Sequence, residues 1–568
     1  GSHAYVTSLL DRFLPGETRT ETLGSHLFKW RMGVASLWFA QTINNEELKP
    51  KHLITTDMLD LSRLKALCPD QLRRTGLSMN LTHPFLDEDG DKLREECGVF
   101  GAVNATDASV VTALGLHALQ HRGQEAAGIT SFDGAEFYTR RGLGHVAENF
   151  SSQEAIAELP GMMAAGHVRY STTGGAGLRN VQPLYADLAS GGFAVAHNGN
   201  ISNAGVLRDD LVRRGSIFQS TSDTEVIIHL VATSRYPTIM DRLIDALRLL
   251  EGAYALIVMT PEGMIACRDP LGIRPLQMGR IGDATVFASE TVAFDVVGAQ
   301  FVRQVEPGEV IKVDFEGNID SLHPFGNHAP RPCIFEHVYF SRPDSVFDGR
   351  SIYEARKAIG AELAREKPVE ADLVVPVPDS GVPAAIGYAQ ESGIPFELGI
   401  IRSHYVGRTF IQPSDGVRHA GVKRKHNANR ALVEGKRIVL IDDSIVRGTT
   451  SLQIVEMMRD AGATEVHFRV ASPPTAHSCF YGVDTPERSK LLAARMDVEP
   501  MREFIRADSL AFVSIDGLYR AVGEKPRNSA CPQFCDACFT GDYPTSLTDM
   551  ARREDKQHKL AFPSEQVA

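Results

Sequence analysis

The chain has 568 residues, of which 43% are hydrophobic and 23% charged, the balance of an ordinary soluble globular protein, and it is long enough for three or four domains of roughly 150 residues. Its net charge of −12 argues against a chain-wide nucleic-acid surface, and no apolar run reaches the ~20 residues that a membrane-spanning helix needs. Eight cysteines are present, three of them within Cys531–Cys538, a ligand-like spacing that favours a reducing, cytoplasmic setting over a secreted disulfide framework.

Residues 1–78 carry helical periodicity at Leu9–Phe13 and Met58–Leu67, and both tryptophans, Trp30 and Trp38. They hold no catalytic motif and read as an N-terminal extension without an assigned role. Residues 79–96, MNLTHPFLDEDGDKLREE, are strongly acidic, with six acids and two bases between Asp87 and Glu96. Such a stretch is expected to be solvated and poorly ordered. Cys97 then opens an apolar run, where a lone Cys reads first as a small core residue.

Four polar motifs follow. His121–Ile129 is a helix-to-strand junction with two Gly, and Gly166–Thr172 places Arg169 at a strand end. Ala196–Asn200 is a strand followed by an Asn-Gly turn, and Ser220–Glu225 opens a helix. Apolar strands at Ala255–Met259 and Met264–Arg268 are split by Pro-Glu-Gly, a turn signal. Pro324–Pro332, with three Pro and a Gly, has the composition of a linker.

The second half starts near Cys333 with CIFEHVYFSRPDS. Leu373–Pro378 is a short apolar strand that runs into Asp379-Ser380-Gly381. Arg402–Arg430 is basic and Gly-bearing, with few aromatics for base stacking. Ile438–Ile441, a buried parallel strand by composition, ends on Asp442 and Asp443. The small-residue turn Arg447-Gly448-Thr449-Thr450-Ser451 and a helical pattern over Leu452–Ala461 follow. Strand, turn and helix N-terminus in that order make an anion site, because the first helical N–H groups lack partners. Carboxylates at the strand end suit a diol or, through water, Mg²⁺. Physical chemistry alone therefore points to a phosphorylated sugar. Cys535-Asp536-Ala537-Cys538 is a CxxC, which suits a metal or a redox pair.

The four motifs after Cys97 resemble the class II amidotransferases, whose glutaminase domain is of the N-terminal-nucleophile type. That resemblance covers 97–332 and implies a four-layer αββα fold. It implies Cys97 as nucleophile, its own α-amino group as base, and Asn198 with the Gly199 N–H as oxyanion hole. It also gives Arg169 and Asp223 as glutamine ligands, with Arg122 in support, and 79–96 as a propeptide. His121, His167 and His197 are then structural. The second half, 333–543, resembles the type I phosphoribosyltransferases, which implies a Rossmann-like parallel sheet. Its phosphoribosyl pyrophosphate (PRPP) site would comprise Asp379, Ser380, Gly381, Asp442, Asp443, Arg447, Gly448, Thr449, Thr450 and Ser451, with Mg²⁺ at Ser380, Asp442 and Asp443. The basic segment would be its lid.

Together the halves resemble the amidophosphoribosyltransferases. The iron–sulphur branch of that family implies a [4Fe–4S] cluster on Cys333, Cys479, Cys535 and Cys538. The same resemblance implies glutamine and PRPP as substrates, purine nucleotides as feedback inhibitors, and a homotetramer or homodimer, with no nucleic-acid or membrane partner. A regulatory PRPP or nucleotide sensor with a dead glutaminase is the alternative, against which the intact Cys97, Arg169, Asn198 and Asp223 argue. Residues 544–568 are polar and are expected to form a disordered tail.

Overall fold

The computed structural model describes residues 94–95, 97–170, 177–403 and 426–552, all within one unit that runs from Thr82 to Ala568. The two helices expected before Met79, most of the acidic stretch (79–93) and the middle of the basic segment (404–425) lie outside the described residues.

Cys97–Val103 is the central strand of a seven-stranded antiparallel sheet. Across that sheet run Gln300–Gln304, Gln277–Ile281, Ala284–Ala288, Cys97–Val103, Met163–Arg169, Ala126–Phe132 and Phe137–Leu143. The central strands are buried on both faces, so their sequences are largely small and apolar instead of alternating with exposed polar residues. Their side chains still alternate in direction. Val99 and Val103 enter the core shared with a second sheet, while Phe100 and Ala102 enter the core under the Ala108–Ala118 helix. Gly115 on that helix makes room for the Phe100 ring, since a Cβ there would collide with it. The second sheet is six-stranded and antiparallel, in the order Ile319–Leu322, Val310–Val313, Gly263–Arg268, Gly252–Thr260, Gly191–Ile201 and Leu184–Leu188. Glu225–Thr233 and Ile239–Leu247 cover its outer face. The result is the expected stack of helix, sheet, sheet and helix.

The second half is built on a four-stranded parallel sheet in the order Leu373–Pro376, Arg437–Asp442, Glu465–Val470 and Ser509–Phe512. Val439 and Ile441 face one core and Ile438 and Leu440 the other, which is why this strand is continuously apolar. Helices Ile352–Glu366 and Val382–Ser392 lie on the first side and Thr449–Asp460 on the second.

The two halves do not meet across a loose linker. The core that holds Ile334, Phe335 and Val439 also holds Ala253 and Ile273 of the first half. Beside it lies a fully buried ion network. Arg122 reaches Glu290 and, at 2.8 Å, Glu336, which Arg274 also contacts at 3.1 Å. Breaking one member of such a network leaves an uncompensated buried charge, at a cost of about 3–5 kcal/mol.

One expectation is corrected. The described part of the tail, up to Arg552, is ordered against the first half: Ser202 Oγ donates to Ser546 O at 3.1 Å and Thr548 Oγ1 to Glu251 Oε2 at 2.6 Å. Part of the described tail's polarity is satisfied by protein partners.

Candidate functional site

Cys97 and Arg169 are direct partners on adjacent antiparallel strands, so the thiol and the guanidinium expected to serve glutamine lie side by side at one end of the sheet's central strands. Cys97 is buried to 8% exposure and Arg169 to 6%. Asn198 and Gly199 lie in the facing sheet, on the Gly191–Ile201 strand. Gly199 has φ +144°, and a Cβ there would collide with Ala253 O, so no other residue fits. Asp223 is held by its surroundings: Oδ2 accepts from Ile201 N at 3.0 Å and Oδ1 from Thr224 N at 2.9 Å. A carboxylate fixed in this way is pre-organised for a cation.

Sequence reasoning missed Ser289. Its Oγ accepts from Val99 N at 3.0 Å and lies 3.2 Å from Asn198 Nδ2, while Asn198 Oδ1 is buried with no partner among the described residues. Asn198 Nδ2 is thus tied to the Ser289 hydroxyl, which fixes the orientation of the amide.

The histidines behave as expected. His167 is fully buried, and burial pushes its pKa down to about 3, so it stays neutral. Burial likewise lowers the pKa of His197, whose Nδ1 lies 3.0 Å from Thr224 Oγ1. His121 pairs with Glu290 at 2.6 Å. Arg122 is fully buried and pairs with Glu290 and Glu336. Its Cβ would lie 3.4 Å from a Cβ on Gly98, directly behind Cys97.

In the second half the two loops of interest leave neighbouring parallel strands at their carboxyl ends, where Pro376 pairs with Ile441 and Val377 N donates to Ile441 O at 2.8 Å. Ligands of open α/β sheets bind in this kind of crevice. Gly381 precedes the Val382–Ser392 helix, and its missing Cβ lets it pack against Ile441 O. Asp379, beside it, pairs with Arg402. Asp442 and Asp443 are buried to 2% and 3%. Asp442 Oδ1 accepts from Asp443 N at 3.0 Å, and Asp443 Oδ2 accepts from Ser444 Oγ at 2.8 Å. The following helix starts at Thr449, three residues earlier than its sequence pattern suggests. Gly448, in the left-handed region at φ +81°, serves as N-cap. Thr449, Thr450 and Ser451 therefore form the first helical turn, the part of a helix suited to an anion. Ile400–Arg402 and His426–Ala428 pair as the stem of the basic segment, whose middle lies outside the described residues.

Cys333, Cys479, Cys535 and Cys538 line a single cavity. Cys333 and Cys535 are bridge partners, and Cys535 N donates to Pro332 O at 2.9 Å. Burial, reinforced by the neighbouring thiols, pushes the Cys333 thiol up to about 12 and Cys535 and Cys538 well above the normal range. Protonated thiols packed together in this way suit a group that replaces their protons. Among the described residues no three His, Cys, Asp or Glu side chains are arranged to hold a single ion. No disulfide joins the described cysteines; Cys267 is core and Cys531 is exposed.

Comparison with known proteins agrees with this geometry. Residues 167–296 match the glutamine amidotransferase domain and 344–475 the phosphoribosyl transferase domain. An amidophosphoribosyltransferase of Rhizobium etli is 58% identical over 479 residues, 83% of this chain and 97% of that protein. The chain belongs to the amidophosphoribosyltransferase family. A family member from Bacillus subtilis is 51% identical over 80% of this chain and 95% of its own length. The solved B. subtilis glutamine PRPP amidotransferase, complexed with ADP and GMP, superposes with a TM-score of 0.75 at 50% identity, over 79% of this chain and 98% of that one. Residues 1–83 match a different family, the N-terminal part of tRNA-queuosine alpha-mannosyltransferase, where sequence reasoning had assigned no role. Among the described residues of this amidophosphoribosyltransferase, no helix is long and apolar enough to cross a membrane.

Proposed function

We propose that the protein converts glutamine, PRPP and water into phosphoribosylamine, glutamate and pyrophosphate, with the residue roles set out below. The observation that carries this reading is the pairing of Cys97 with Arg169 in the same unit as the Asp442–Asp443 crevice. Arg169 takes the glutamine α-carboxylate bidentately, and Asp223 takes its α-ammonium. The Cys97 thiolate attacks the side-chain amide carbon, and the Asn198 amide and Gly199 N–H hold the developing oxyanion. Ammonia leaves, and water hydrolyses the thioester to glutamate. The base is the α-amino group of Cys97, which becomes available once the Glu96–Cys97 bond is cut; 79–96 is then a propeptide. In the other half, the Thr449–Ser451 turn and the Ser380–Gly381 loop bind the phosphates. Ser380, Asp442 and Asp443 would hold Mg²⁺, which neutralises pyrophosphate as it departs. Ammonia replaces pyrophosphate at C1 of the ribose, beneath the basic lid. The test is product stoichiometry: glutamate and pyrophosphate form one to one from glutamine and PRPP. Glutamate release without any pyrophosphate, at any ratio of substrates, would refute the reading.

Purine nucleotides such as those bound by the B. subtilis enzyme fit the same phosphate-binding loops as feedback inhibitors, in a cytoplasmic homotetramer or homodimer. Removing the Ser289 hydroxyl unlocks the oxyanion amide. Ser289→Ala is expected to lower glutamine-dependent kcat by on the order of tenfold to a hundredfold, somewhat less than outright loss of an oxyanion donor. Ammonia-dependent synthesis is expected to stay unchanged in the same steady-state assays.

The four-cysteine cavity is proposed to hold a [4Fe–4S] cluster, a structural tie between Cys333 and the far end of the chain. Protein purified without oxygen should be brown, with about four iron and four acid-labile sulphide per chain. Cys535→Ser should lose both and melt at a lower temperature. One zinc per chain in a colourless, oxygen-stable protein would exclude the cluster.

A further inference from the structure

The Ala204–Arg213 helix lacks a cap of its own: its N-cap residue, Asn203, makes no side-chain capping bond. The cap comes from the other end of the chain. Asp549 Oδ2 accepts from Gly205 N at 2.6 Å and Oδ1 from Val206 N at 2.9 Å, across 344 sequence positions. Gly205 is needed for this approach, since a Cβ there would lie 2.9 Å from Asp549 Oδ2. Two bonds from one carboxylate to the first turn of a helix combine capping with the helix dipole.

What this helix holds is the glutamine-binding loop. Arg208, one turn in, donates to Ser220 O at 3.0 Å and Ser222 O at 2.7 Å, the residues just before Asp223. The residues before the helix complete the circuit. Ile201 N donates to Asp223, Ser202 N to Glu251 O, and Ser202 Oγ to Ser546 O. The path back to the four-cysteine cavity is also continuous. Thr545 Oγ1 lies 3.0 Å from Tyr481 OH, and Tyr543 OH donates to Ser478 O at 2.6 Å, on either side of Cys479. From the same loop, Phe480 O accepts from Asn200 Nδ2 at 2.9 Å, and a Cβ on Gly482 would lie 3.0 Å from Gly199 Cα.

The geometry points to a positioning role for Tyr543–Arg552: this strap, through Asp549, sets the Ser220–Asp223 loop and hence the affinity for glutamine. It rests on the glutaminase reading of Cys97 and Asp223 and adds a determinant that touches no substrate. The ion pair of Arg552 with Asp209 is half-exposed and contributes little; the bonds to backbone N–H groups carry the effect.

The test uses the full processed chain. Asp549→Ala is expected to raise KM for glutamine by about tenfold, the equivalent of about 1.4 kcal/mol, with kcat at saturating glutamine and ammonia-dependent synthesis both unchanged. Labelling of Cys97 by 6-diazo-5-oxonorleucine, a glutamine-shaped electrophile, should slow by a similar factor, while labelling by iodoacetamide should not. Asp549→Asn, which keeps one acceptor oxygen, should recover part of the affinity. If Asp549→Ala fails to fold, Thr548→Val, which loses only the bond to Glu251, makes the same test with a shift of about threefold. A KM within twofold of wild type in a folded variant, or equal loss of glutamine and ammonia activities, overturns the proposal. A wild-type enzyme that releases no glutamate from glutamine instead overturns the function beneath it, and does so before any variant is made.

Discussion

Cys97→Ala is expected to abolish glutamine-dependent synthesis, by at least about 10³-fold, while ammonia-dependent synthesis persists. The substitution removes one sulphur from a buried strand that already carries Gly98, Gly101 and Ala102, so alanine sits there without strain. The Arg122–Glu290 and Arg122–Glu336 pairs behind it stay intact. The PRPP crevice lies at the carboxyl end of a different sheet, so the second reaction keeps all of its groups. The measurement is pyrophosphate release with saturating glutamine, then with high ammonia at alkaline pH. If a folded variant loses both activities, the two chemistries are not divided between the halves as argued.

The parts of this protein that were legible in the sequence are those whose residues act within one short stretch. Arg437–Ser451 shows strand, acids, turn and helix in order, and the structure places each there. The helix starts three residues earlier, at Thr449, because Gly448 adopts φ +81° and serves as its N-cap. The resemblance that rests on Cys97, Arg169, Asn198 and Asp223 likewise gave a correct four-layer fold. What stayed hidden depends on distant partners. Arg122 pairs with Glu290 and Glu336, 168 and 214 positions away. Ser289 opens a short polar strand-to-helix passage, Ser289-Glu290-Thr291, and nothing local marks it as the partner of Asn198. The tail misled for a physical reason. Ser, Thr and Asp predict solvation by composition, yet the same groups satisfy helix N–H groups and carboxylates when the fold brings them close.

Asp442 and Asp443 should give the reverse separation. Two adjacent carboxylates at 2% and 3% exposure are costly unless something positive shares the site. Their mutual bond from Asp443 N to Asp442 Oδ1 fixes geometry but supplies no charge. Within the protein the buried Arg356 guanidinium acts on Asp443, and the crevice is the side on which further positive charge would come, through Mg²⁺ and its waters. Asp443→Asn keeps the shape and the packing and removes one negative charge, so it separates electrostatics from folding. PRPP-dependent pyrophosphate release is expected to fall by on the order of 10²–10³-fold, with a higher Mg²⁺ requirement. Asp442→Asn should do the same, because the two acids flank one strand end. Thioester formation at Cys97, measured by trapping with hydroxylamine, should continue at the wild-type rate, since Asp443 follows a strand of a different sheet. Wild-type PRPP turnover in both variants would mean that the acids serve the strand end and not the ligand. The phosphate reading of the Gly448–Ser451 turn would then have to stand on backbone N–H groups alone.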